Sequence, residues 1–125
     1  MFEFSIENKG EILDALKKIN DNEKQKKNAQ FDIMQDKDFT DFISTLDAAG
    51  FTEVFDYDEW MLKNGIDFEN TGDVQNLFIK AGTDLTGIRR LVTAAVRFER
   101  FGSGLLNELY RNGFFSLMAD KLNVL

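Results

Sequence analysis

Residues 83–102, TDLTGIRRLVTAAVRFERFG, decide the fold class. Leu85, Ile88, Leu91, Val92, Ala95 and Val96 recur every three or four positions, which places them on one side of a helix as an apolar stripe. Gly102 and Gly104 end the pattern. A helix with such a stripe must bury it against other helices or a sheet, and the flanking sequence supplies helices.

Working toward the N-terminus, IDFENTGDVQNLFIKAG reads as a loop and then a helix capped near Thr71, with Val74, Leu77, Phe78 and Ala81 inward and Gly82 at its end. Before it, Asp56 and Glu59 form a capping-box pair that opens YDEWMLKNG, where Tyr57, Trp60 and Met61 share a face and Gly65 closes the helix. Phe51 and Val54 form a short extended link. QDKDFTDFISTLDAAG carries Phe39, Phe42, Ile43 and Leu46 on one face, Asp36 or Asp38 as cap, and Gly50 where a left-handed residue is wanted. DNEKQKKNAQ is polar and aperiodic, hence a loop. Ahead of it, Asn8 and Glu11 are spaced as a capping box for a helix on Ile12, Leu13, Leu16 and Ile19. Residues 1–5 alternate apolar and polar, as a short edge strand or a docking arm would.

Toward the C-terminus, Leu105, Leu106, Leu109 and Tyr110 mark one helix, Gly113 terminates it, and Phe114, Leu117, Met118 and Leu122 mark a last one. The fold expected is all-α: an irregular compact bundle of six or seven short helices in a single domain over 1–125, with a short N-terminal strand as the one β feature.

Composition narrows the chemistry. The 125 residues include no cysteine, histidine or proline, and thirteen of them are phenylalanine. Disulfides, thiol and imidazole catalysis and Cys/His zinc sites are therefore excluded. No serine or lysine stands in a recognisable nucleophile motif, so enzymatic activity is disfavoured. No cofactor and no metal site are expected. A net charge of −7 opposes phosphate backbones and anionic lipid. Direct nucleic-acid binding and a membrane location are not expected, and a cytoplasmic protein is. A protein partner or a homo-oligomer is compatible with this composition.

The charge is uneven. Residues 1–82 carry a net −9, whereas residues 83–125 carry +2 and hold all five arginines: Arg89, Arg90, Arg97, Arg100 and Arg111. Helical projection continues the apolar stripe onto Glu99, with Thr93, Arg97 and Arg100 on the adjacent face. A carboxylate at the core edge needs partners, and the amides of Gly102, Ser103 and Gly104 open the next helix unsatisfied. The structural reading is thus a clasp between two helices, formed by Glu99 and the arginines. The functional reading is an anion site made of Thr93, Arg97, Arg100 and the Gly102–Gly104 turn, because arginine forks and helix N-termini hold anions. The structural reading takes precedence. Asp56, Tyr57 and Trp60 form a second constellation, an aromatic and acidic contact facing the arginine-rich helix or simply a capped helix with two core anchors.

DFTDFISTLDAAGFTEVFDYDEW and LTGIRRLVTAAVRFERFGSGLLNELYRNGFFSLMADKL together resemble the bacterial family catalogued as domain of unknown function 6508. The resemblance covers roughly residues 32–122. Its most specific piece is Leu-Thr-x-x-Val-Arg-x-Glu-Arg-Phe-x-x-Gly-Leu, met here by Thr93, Val96, Arg97, Glu99, Arg100, Phe101, Gly104 and Leu105, with Val92 in place of the leading leucine. Asp56, Tyr57 and Trp60 also resemble the family. Gly102-Ser103 departs from the cysteine or polar residue the family tends to place before Gly-Leu, and a proline-containing segment common in the family is missing. The resemblance implies a helical domain and singles out the Arg-x-Glu-Arg-Phe corner, and it implies no activity.

The function expected from these residues is that of a non-enzymatic protein-binding module. An anion- or nucleotide-binding protein using the Arg97/Arg100/Gly102–Gly104 corner is the alternative. An acidic inhibitor that mimics nucleic acid, with its carboxylates in residues 53–73, is the third reading.

Overall fold

The computed structural model describes residues 5–21, 33–52, 55–69, 71–82, 84–99 and 104–125. These residues form seven α-helices and no strand: α1 (Ile6–Asn20), α2 (Lys37–Ala49), α3 (Tyr57–Asn64), α4 (Val74–Ala81), α5 (Leu85–Phe98), α6 (Leu105–Arg111) and α7 (Phe114–Asn123), with a 3-10 turn at Ile33–Gln35 before α2. The all-α bundle is therefore as expected. The strand suggested for residues 1–5 and the polar loop at residues 21–30 lie, apart from Ser5 and Asp21, outside the described residues.

Capping explains most helix boundaries, with two corrections. α1 starts earlier than the Asn8 cap requires: Ser5 is the cap, and its hydroxyl accepts the Asn8 N–H at 3.1 Å. Ser5 is extended (φ −67°, ψ 164°), and this backbone state selects it over Asn8, which already lies inside the helix. α4 is capped by Asp73, not near Thr71; the Asp73 carboxylate accepts the Asn76 N–H at 3.1 Å. Thr71 is buried instead, and its hydroxyl donates to Glu108 Oε2 at 3.2 Å while Asn112 Nδ2 donates to its carbonyl at 2.8 Å. That network pins the α3–α4 loop to α6. Asp36 holds the cap position of α2 without a side-chain hydrogen bond, and Asp56 caps α3 through the Glu59 N–H.

One contiguous core joins the helices. α1 packs on α2 and α7, α4 on α5, and α6 on α5 and α7. The centre is aromatic. The Phe115 ring meets Phe39 at 5.4 Å and Phe42 at 5.7 Å edge-on, and Phe78 stacks on Phe114 at 4.9 Å. Two buried polar ties hold the C-terminal end of α1: Tyr110 OH donates to the Ile19 carbonyl at 2.9 Å, and Asn20 Nδ2 donates to the Phe115 carbonyl at 3.1 Å. α5 packs on α4 and α6, and the candidate site lies where the end of α5, α6 and the end of α2 line one cleft.

Candidate functional site

The site is built around the last two turns of α5. Val92, Ala94 and Ala95 are buried, so the stripe anchors the helix, while Val96, Arg97, Phe98 and Glu99 emerge half-buried as the helix reaches its end. Thr93 is buried and donates its hydroxyl to the Arg89 carbonyl at 2.7 Å, one turn back. Glu99 is the C-cap of the helix, and its Oε2 accepts the Gly104 N–H at 2.9 Å. Gly104 stands at φ 73° in the left-handed region and begins α6, so a carboxylate meets one of the orphan amides at that corner. Gly102, Ser103 and Arg100 lie outside the described residues.

A cleft of about 280 Å³ opens beside this corner. Its apolar lining is Met34 from the 3-10 turn, Ile43 from α2, Val96 from α5 and Leu106 from α6. Its polar lining is Thr93, Arg97 and Glu99 from the end of α5, with Asp47 and Thr52 from the end of α2. The Thr52 hydroxyl donates to Asp47 Oδ1 at 3.1 Å. Arg97 makes no hydrogen bond or salt bridge to another described residue, although it sits in the last turn of α5 where the helix dipole favours a cation. Three residues expected from the sequence, Thr93, Arg97 and Glu99, thus line one cavity. Its other wall was not expected, because Asp47, Thr52 and Met34 are distant in sequence and carry no local pattern pointing to this place.

Arg89 was counted among the clustered arginines, but its partners were not foreseen. Its Nε donates to the Phe51 carbonyl at 2.8 Å and its terminal nitrogen to the Gly50 carbonyl at 3.1 Å. A cation satisfying carbonyls at the C-terminal end of α2 matches the sign of that helix end, and it locks α5 to α2 next to the cleft.

The second constellation lies elsewhere. Asp56 and Trp60 line an open groove with Phe55, Glu59, Lys63 and Arg90, and Tyr57 packs half-buried on the core. Arg90 lies over the Phe55 ring, 5.5 Å from its centroid, and Phe55 meets Trp60 edge-on at 5.7 Å. The arginine helix is thus met through an aromatic face. Glu59 pairs with Lys63 of its own helix at 3.6 Å. Neither Tyr57 OH nor the Trp60 ring N–H bonds another described residue, and both side chains are half-buried.

Glu99→Ala is expected to lower stability by about 1 kcal/mol, the usual cost of losing a side-chain acceptor at a helix N-terminus. Arg90→Ala is expected to cost about half of that, since a half-exposed cation–π contact is weaker. Urea melts of both variants check the order; equal and negligible losses would remove the clasp.

Among the described residues no group of three or more acidic side chains is placed to hold a metal ion, and no helix is long and apolar enough to cross a membrane. No curated protein and no solved structure matches the chain. The family described as a family of unknown function (DUF6508) matches residues 5–125, a span that adds α1 to the region expected from the sequence. The chain, from the cap of α1 through the Arg97–Glu99 corner to the end of α7, belongs to that family.

Proposed function

We propose that the protein is a non-enzymatic protein-binding module and that the cleft beside Arg97 receives its partner. The observation that carries this reading is the Arg97 side chain: half-buried, on the wall of a partly apolar cavity, with no hydrogen bond or salt bridge to another described residue. Arginine and methionine are enriched at protein interfaces, and a guanidinium beside apolar surface is a common anchor. Met34, 41% exposed at the cleft, adds adaptable apolar surface.

The nucleotide alternative has less support. Asp47 and Glu99 share the cavity with Arg97, so a polyphosphate would meet two carboxylates there. The mimicry reading relies on carboxylates in residues 53–73. Asp56, Asp67 and Asp73 each accept a backbone N–H of their own turn, so local capping accounts for them without a partner.

Selection of a random heptapeptide library on the full chain tests the binding reading. Binders are expected on the unaltered protein and should be lost on Val96→Trp, which fills the cleft, and on Arg97→Glu, with urea midpoints confirming that both variants fold. An absence of binders, or binders indifferent to both substitutions, overturns the reading.

A further inference from the structure

The cleft's chemistry defines its occupant more narrowly than as protein surface. We infer that it takes the carboxyl-terminal residue of a partner chain, one that ends in an apolar side chain. The inference rests on the binding reading above.

Three features of the cavity meet three features of a chain end. Arg97 offers guanidinium donors with no described protein acceptor, and a planar carboxylate matches that fork. Asp47 and Glu99 offer acceptors on the same cavity. The last peptide N–H of a chain donates to such oxygens, whereas a free anion has nothing to give them. Ile43, Val96 and Leu106 form apolar surface for one side chain. Capture of a chain's terminal carboxylate is an established mode of peptide recognition, and here the guanidinium of Arg97 would supply the donors.

Size and charge point the same way. About 280 Å³ lies just below the ~300–1,000 Å³ typical of ligand pockets, a size that suits the end of one chain. The described lining carries one cation and two anions. The single cation can pair with one carboxylate, and each further negative charge on a ligand would meet only Asp47 and Glu99. An internal acidic side chain would bring its charge without the adjacent apolar side chain. A terminal leucine, isoleucine, valine or methionine brings one carboxylate, one N–H donor and one apolar group together. The two protein carboxylates already hold contacts of their own, Glu99 with Gly104 N and Asp47 with the Thr52 hydroxyl, so they stand oriented before a ligand arrives. Such preorganisation reduces the entropy cost of binding.

Fluorescence anisotropy with a labelled hexapeptide ending in leucine tests the inference. The free acid is compared with its C-terminal amide and with the same peptide extended by two glycines. On the full chain the acid is expected to bind at least about tenfold tighter than either comparator, the scale of one charge-assisted hydrogen-bond pair. Arg97→Gln should abolish the difference between acid and amide while leaving the urea midpoint within error. Equal binding of acid and amide by the unaltered protein overturns the inference, as does a difference that survives in Arg97→Gln. If library peptides bind in a way that Val96→Trp abolishes while acid and amide bind alike, the chain-end inference fails and the binding reading stands. If neither the library nor the hexapeptide binds, both fail.

Discussion

Phe115→Ala is expected to lower the stability of the protein by about 3–5 kcal/mol, the range for truncating a buried phenylalanine. Phe115 is 1% exposed. Its ring touches Phe39 and Phe42 of α2 and Phe114 of its own helix, at centroid distances of 5.4, 5.7 and 5.1 Å. All three contacts are edge-on, the arrangement that adds to area burial through the ring quadrupole. The cavity left by truncation would be walled by rings that pack on further aromatics, Phe78 against Phe114 and Phe42 against Phe39, so it cannot close cheaply. Against a total of ~5–15 kcal/mol for a domain, the loss is about a fifth or more. The Asn20 tie to the Phe115 carbonyl uses backbone and survives the substitution, so α1 should stay docked. Urea unfolding should show a lower midpoint with an unchanged slope. Phe115→Leu, which keeps most of the volume, should cost about 1.5 kcal/mol or less. A loss below about 1 kcal/mol in the alanine variant would show that these rings do not form the centre of the core.

The residues that make this core were legible before any coordinates. Phe39, Phe42, Leu46, Phe78, Leu109 and Met118 stand at helical spacing, and all are buried. Helix ends were legible wherever glycine supplied a left-handed residue, as at Gly50 and Gly65. The two misplaced caps share one cause. Ser5 and Asn8, like Thr71 and Asp73, are all competent cap residues, and only the backbone dihedrals of the neighbouring residue decide which is used. The candidate site was half legible for a geometric reason. Thr93 and Arg97 stand at i and i+4 on one helix face, and Glu99 follows at the helix end, so local spacing brings all three to one corner. Asp47 and Thr52 reach the same cavity through tertiary packing, where Arg89 binds the carbonyls of Gly50 and Phe51 and ties the end of α2 to α5. A contact between segments so far apart leaves no periodic trace.

Gly87→Ala makes the sharper test of the packing, because the two ways of reading Gly87 predict opposite signs. Within a helix, alanine is favoured over glycine by about 1 kcal/mol, so propensity alone predicts a stabilised α5. The structure predicts a loss. Gly87 is buried in the first turn of α5, where its N–H donates to Asp84 Oδ1 at 2.9 Å. A Cβ placed there would fall 2.3 Å from the Ala81 carbonyl oxygen and 2.7 Å from that of Gly82. Both obstacles are backbone, so no side-chain rotation relieves them. They belong to the end of α4, where Gly82 turns the chain at φ 97°, a conformation reserved in practice for glycine. Relief requires α4 and α5 to separate, which loosens the packing of Leu77 and Phe78 around Ile88 and Leu91. Overpacking of this kind costs about 1–3 kcal/mol and more when the backbone must move, which exceeds the propensity gain. The net expectation is a destabilisation of about 2 kcal/mol. Gly10→Ala is the matching control: Gly10 lies in α1 with open space around the added carbon, so there propensity should act alone and stabilise by about 0.5–1 kcal/mol. Paired urea melts should therefore move in opposite directions for the same chemical change. If both variants gained stability, the close crossing of α4 over the start of α5 would be wrong, and with it the packing of the helix that carries Arg97.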